Sequence, residues 1–138
     1  MSRITINLQS EFIFSTNIPI RIGDINLAGH LSHVSFFSIM EEARWRFIRS
    51  LGYKESNILI MTDASIVYIR QGNYGQTLKT EIAISDLTIK SFDMVYRISD
   101  KDTGVEMARS KTGHLMYDYH NQEVTEIPLS LKEKLCAR

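Results

Sequence analysis

The sequence predicts an α+β domain: one antiparallel sheet of five to six strands wrapped around one long central helix. Three observations predict it. A single stretch, from Ser32 to about Leu51, keeps apolar residues at helical spacing over several turns. A strand-like segment precedes that helix. Four or five segments with strand alternation follow it, separated by turn residues. An unusually apolar helix must be covered, and one sheet curling around it covers it.

The elements follow in order. Residues 1–10 read as a short arm or an extra strand. Glu11–Ile22 is a strand, with Phe12, Phe14, Thr16, Ile18, Ile20 and Ile22 on one face. Pro19 lacks a backbone donor, which makes this strand an edge or a bulged one. Gly23–Ser32 is a loop, and Ser32 or Ser35 can cap the helix. Phe36, Met40, Ala43, Phe47 and Leu51 form the apolar helix face, with Phe37 and Ile48 beside them. Glu42 and Arg46 are spaced for an ion pair, and Gly52 suits the stop.

A short turn is expected over residues 54–57. Ile58–Met61 and Ala64–Ile69 are two strands or one interrupted strand, and Gln71–Gln76 is a loop. Thr77–Asp86 and Ser91–Ser99 alternate cleanly, with a hairpin turn at Asp100–Gly104. Val105–Tyr119 is a long strand that Gly113 can kink, and Asn121–Thr125 reads as a turn. Pro128 precedes a short helix, LSLKEKL. Apolar residues left on the far sheet face suggest an oligomer that stacks or extends sheets.

Composition narrows the function classes. A chain of 138 residues is one domain, 1–138, with room for a core. Its 16 basic and 16 acidic residues cancel, which argues against a general nucleic-acid binder. The single cysteine, Cys136, allows neither an internal disulfide nor a cysteine metal cluster. No membrane span and no signal peptide are legible, so the expected location is the cytoplasm.

The chemistry concentrates at the start of the helix. Asp24, Asn26, His30, Ser32 and His33 crowd the loop there. A helix start exposes unpaired N–H groups and the positive end of a dipole, which can hold a developing negative charge. His30 and His33 with Asp24 also permit a metal reading, but two histidines three apart on a loop support it weakly, and no metal is expected.

The stretch Asp24, Gly29-His30, Phe36-Phe37 and Glu41-Glu42-Ala43-Arg44 resembles the signature of the 4-hydroxybenzoyl-CoA thioesterase-like family of hot-dog-fold acyl-CoA thioesterases. Tyr68 through Leu78 and the ending IPLSLKEKL are similar to that family too. The resemblance implies the hot-dog fold, thioester hydrolysis, a homodimer or homotetramer, and no cofactor. Its substrate would be an acyl-CoA or an acyl-carrier protein. Two departures stand out. Asn26 occupies the position of the family's catalytic acid, and an amide is neither a carboxylate nucleophile nor a general base. Gln71 and Gln76 replace a proline and an aspartate of the later loop. The run Asn26-Leu27-Ala28-Gly29 resembles hot-dog thioesterases of enediyne polyketide assembly, where an asparagine works with a helix arginine, here Arg44.

These implied roles stand beside plainer ones. The backbone N–H around His33 would polarise the thioester carbonyl, or belong to an ordinary capped helix. Asn26 would orient water or the carbonyl, or close a turn. Asp24 is a substitute base or a structural acid. Glu41 is a base in other hot-dog branches, or an ion-pair partner of Arg44, and Arg44 binds the carbonyl or only that acid. His30, Phe36 and Phe37 would contact substrate; a histidine can also serve as base, although the His30 position has a structural role in the family. Arg70, Lys79, Lys90 and Arg109 are available for coenzyme A phosphates, and His114 and His120 are ordinary sheet or surface residues. The alternative to hydrolysis is a catalytically impaired hot-dog protein that binds an acyl thioester or a protein partner. A hot-dog dehydratase is a third possibility, which the EEAR-type helix disfavours.

Overall fold

A computed structural model describes residues 1–8, 11–54 and 58–136. Strand β1 (Phe14–Pro19) leads through a 3-10 turn (Ile22–Asp24) into helix α1 (His33–Ser50). Strands β2 (Leu59–Tyr68), β3 (Thr77–Ser85), β4 (Ser91–Asp100), β5 (Glu106–Asp118) and the two-residue β6 (Glu123–Val124) follow, then helix α2 (Leu129–Cys136). The sheet order is β1-β3-β4-β5-β2, with β6 on β5, and every pair is antiparallel. The turn expected over 54–57 falls largely outside the described residues.

Helix α1 starts where its cap allows. The Ser32 hydroxyl accepts from the Val34 N–H at 3.2 Å. Eighteen residues later it ends at Leu51 and Gly52, the latter at φ +91°. Phe36, Ile39, Met40, Ala43, Phe47 and Ile48 bury against Leu78, Ile82, Phe92, Met94, Tyr96 and Ile98. Burial of each such side chain contributes roughly 1.5–3 kcal/mol. The sheet covers only this side of the helix: Val34, Phe37 and Trp45 remain exposed on the other. Arg46 bonds to Glu42 and also donates to Thr16 Oγ1 at 2.8 Å and Asn17 O at 3.1 Å, tying α1 to β1.

Several expectations sharpen. Pro19 ends β1 on the edge of the sheet, where its missing donor disrupts no second ladder. The interrupted strand is one strand, β2, with a bulge between Met61 and Asp63. Gly113 lies opposite that bulge, where a Cβ would come within 2.1 Å of Asp63 Oδ1. Residues 1–8 form no regular element, and Ile6 lies against the outer sheet face, its carbonyl accepting from Arg109 Nη1 at 3.4 Å. The last turn comes earlier than expected: Gln122 turns at φ +54°, and Glu123–Val124 already pair with β5.

The outer face differs from its expectation. Instead of an apolar surface it carries ion pairs, Arg97 with Glu81 and Glu106, Arg109 with Glu106, and Lys111 with Asp63 and Asp93. The apolar surface left uncovered lies elsewhere, on α1 and at Ile60 and Met61 of the edge strand β2.

Under α1 the core holds a polar chain. Arg44 Nη1 donates to the Tyr96 hydroxyl at 3.4 Å, Tyr96 is 2.6 Å from Thr112 Oγ1, and Thr112 is 2.8 Å from His114 Nε2. His114 is 1% exposed, a core residue rather than an ordinary sheet position. Its ring stacks on Phe92, and its Nδ1 has no partner among the described residues. Burial, with the Arg44 charge second, pushes its pKa down to about 3.

Candidate active site

The loop between β1 and α1 is stitched from three directions. Asp24 is buried, and both its carboxylate oxygens accept from Arg21, one from the backbone N–H at 2.8 Å. Burial alone would raise its pKa, but these hydrogen bonds and the Arg21 charge hold it below the ordinary aspartate value. The Asp24 carbonyl accepts from Ser32 N–H at 2.9 Å, fixing the helix cap. Leu31 N–H donates to Gly72 O at 2.8 Å, joining this loop to the one after β2. Gly72 is required for that approach, because a Cβ would come within 2.9 Å of Leu31 Cβ.

Between these stitches Asn26 closes a tight turn. Its N–H donates to His30 O at 2.8 Å, and its carbonyl accepts from Gly29 N–H at 3.0 Å, with Gly29 at φ +84°. Its side-chain Oδ1 accepts from Ala28 N–H at 3.0 Å and His30 N–H at 3.2 Å. The side-chain acceptor is therefore committed to the loop. Its Nδ2 amide, a donor, has no partner among the described residues.

An open cavity of about 360 Å³ lies beside this turn. Asn26, Ala28, His30, Leu31, His33, Phe36, Tyr68, Ile69, Arg70 and Gln71 line it. His33 is the first residue of α1, and its N–H has no acceptor among the described residues, as the first turn of a helix leaves it. The His33 ring stacks on Tyr68 with centroids 4.3 Å apart, and Tyr68 OH donates to His33 O at 3.1 Å. Phe36 meets Tyr68 edge-on, with ring centroids 5.3 Å apart. Burial raises the Tyr68 pKa, so the phenol stays a donor at neutral pH.

The model of the thioesterase-like superfamily matches residues 20–135. This chain belongs to that superfamily. No protein of curated function matches it by sequence. Its fold is similar to that of a 1,4-dihydroxy-2-naphthoyl-CoA thioesterase from Synechocystis, at 19% identity and TM-score 0.80 over 89% of this chain and 95% of that one. A thioesterase from Thermus thermophilus, solved with coenzyme A and zinc, gives 18%, 0.81, and 92% and 94% coverage. The gentisyl-coenzyme A thioesterase BH1999 gives 18%, 0.77, and 88% and 99%. The antiparallel sheet with α1 on one face is the hot-dog fold of these thioesterases.

The structure brings together four of the eight residues singled out in the sequence. Asn26, His30, His33 and Phe36 line one cavity. Asp24 lies outside it, paired with Arg21. The Glu41 side chain is 75% exposed, 3.9 Å from Arg44. Arg44 is 4% exposed and bonds to Tyr96 in the core. Phe37 lies on the uncovered side of α1. Of the cations open for phosphate, Arg70 reaches the cavity, whereas Arg109 is paired with Glu106 on the outer face. The role of Tyr68 was not legible as chemistry, because only the antiparallel return of β2 beside α1 brings it against His33. Among the described residues no cluster of three or more His, Cys, Asp and Glu can hold a metal ion.

Proposed function

We propose that this thioesterase-like protein hydrolyses the thioester of an acyl-CoA, or of an acyl-carrier protein, to a free acid and a thiol. The observation that supports this is a pair of donors on cavity-lining residues, His33 N–H and Asn26 Nδ2, that have no partner among the described residues. Both favour the charge that develops on the carbonyl oxygen as water adds, and the α1 dipole adds to them. Asn26 has no acceptor left to orient water, so in this reading it holds the oxygen instead. Phe36 and Tyr68 provide apolar surface for the acyl group, and Arg70 lies where a phosphate or carboxylate can meet a cation.

The protein acts in this reading as a homodimer or homotetramer in the cytoplasm. Strand β2 is a ten-residue edge with an open ladder, and Ile60, Met61, Val34, Phe37 and Trp45 expose apolar surface near it or on α1. A second copy covering both is measurable as a doubled mass in light scattering.

The deciding assay is thiol release from a panel of acyl-CoA and acyl-carrier esters by the purified protein. Turnover is expected, and Asn26→Ala should reduce it by about 10²-fold, the cost of one oxyanion donor. Binding of the esters with no release would overturn hydrolysis. It would favour the second reading, a catalytically impaired protein that binds acyl thioesters, for which the Asn26 Oδ1 turned into its own loop speaks.

A further inference from the structure

Hydrolysis needs a group that takes a proton from water, and Asn26 is not one. The ionisable residues lining the cavity are His30 from the loop, His33 from α1, Tyr68 from β2 and Arg70 from the segment after β2, and among the described residues no carboxylate lines it. The Arg70 guanidinium carries donors only and has no lone pair to take a proton. Tyr68 is occupied as a donor to His33 O. The choice falls between two imidazoles.

Their settings differ. The His33 ring is stacked on Tyr68, and its nitrogens have no hydrogen-bond partner among the described residues that would select a tautomer. The His30 ring has one: its Nδ1 lies 3.4 Å from Asn73 Oδ1. An amide oxygen only accepts, so this contact places the hydrogen on Nδ1 and leaves the lone pair on Nε2. Asn73 is itself held, its N–H donating to Gln76 Oε1 at 2.7 Å and its carbonyl accepting from Gln76 N–H at 3.1 Å. His30 is also fixed to Asn26 by two bonds, Asn26 N–H to His30 O along the main chain and His30 N–H to the side-chain Oδ1 of Asn26. A base oriented by a third group is the arrangement that activates a nucleophile, and such contacts are commonly long before substrate binds.

We propose that His30 is the general base of this site and that Asn73 is its positioning residue. The inference rests on the thioesterase reading. Nε2 takes a proton from water as the water oxygen bonds to the thioester carbon. The electron pair of the carbonyl moves onto its oxygen, between His33 N–H and Asn26 Nδ2. When the carbonyl re-forms, the C–S bond breaks, and the sulfur leaves with the proton held on Nε2. Acid and thiol are the products, and the imidazole is neutral again.

The test is a pH profile of kcat and KM with acetyl-, octanoyl-, palmitoyl- and benzoyl-CoA, for the wild type and three variants. His30→Gln should lose about 10²-fold or more in kcat with KM little changed. Asn73→Asp should move the acid limb of kcat upward by about one pH unit, because a carboxylate on Nδ1 favours the imidazolium. Asn73→Leu should lower kcat without that upward shift. A merely structural role for Asn73 would change KM or the melting temperature and leave the limb in place. Turnover by His30→Gln within threefold of the wild type, or an Asn73→Asp limb that superimposes on the wild-type limb, overturns the assignment alone. A wild type that binds these esters and cleaves none overturns hydrolysis and, with it, the base.

Discussion

The buried His114 ties the stability of this fold to pH in a calculable way. Its pKa lies at about 3 in the folded protein, against 6.5 as the ordinary value. A base whose folded pKa is depressed takes up its proton first in the unfolded chain. Its neutral form is therefore compatible with the fold above pH 6.5, and stability is lost as pH falls from 6.5 toward 3. Each pH unit in that window costs about 1.4 kcal/mol. From pH 7 to pH 5 the loss from this residue comes to about 2 kcal/mol. The assay is urea unfolding at fixed protein concentration, followed by the fluorescence of the single tryptophan, Trp45. Carboxylates held low by hydrogen bonds, such as Asp24 and Asp63, also weaken the fold in acid, so the informative quantity is a difference. His114→Gln leaves a polar amide near Thr112 and removes the titration. The wild type should lose about 2 kcal/mol relative to this variant between pH 7 and pH 5. Curves that stay parallel within about 0.5 kcal/mol would refute the claim that His114 is sealed in neutral form.

Two further substitutions test the frame around the cavity. Gly72→Ala puts a methyl group within 2.9 Å of Leu31 Cβ and 3.2 Å of Ile20 Cδ1, and should cost about 1–3 kcal/mol in urea unfolding while also slowing thioester turnover. Arg46→Ala removes the bonds to Thr16 and Asn17, and should cost about 1–2 kcal/mol of stability while leaving kcat unchanged, since Arg46 is not among the residues that line the cavity.

Much of the fold was legible because it depends on periodicity. The spacing of Phe36, Met40, Ala43 and Phe47 made α1, and the alternation in Thr77–Ser85 and Ser91–Asp100 made two strands with their register faces correct. Burial of polar side chains was not legible. Arg44 and His114 sit at positions that a polar pattern would place outside, and only the return of β4 and β5 beneath α1 gives them Tyr96 and Thr112 as partners. The outer face misled for a related reason. Its apolar residues stand out one strand at a time, and the ion pairs appear only once Arg97 falls opposite Glu81 and beside Glu106. At the site, the loop residues were legible from the crowded helix start, but Tyr68 and Asn73 were not. Both reach it across long sequence separations, 35 residues from His33 and 43 from His30.

In the proposed reaction one of the two oxyanion donors is a main-chain atom of residue 33, and this decides where the site would be vulnerable. Replacing His33 by any residue but proline leaves that N–H in place. What can remove it is a shift of the chain that carries it, and that chain is held by Asp24, Ser32 and the carbonyl of Gly72. Random variants screened for loss of turnover should then cluster at these anchors as densely as at the cavity wall. Side chains that never touch a thioester would in this way constrain the sequence as tightly as those that do.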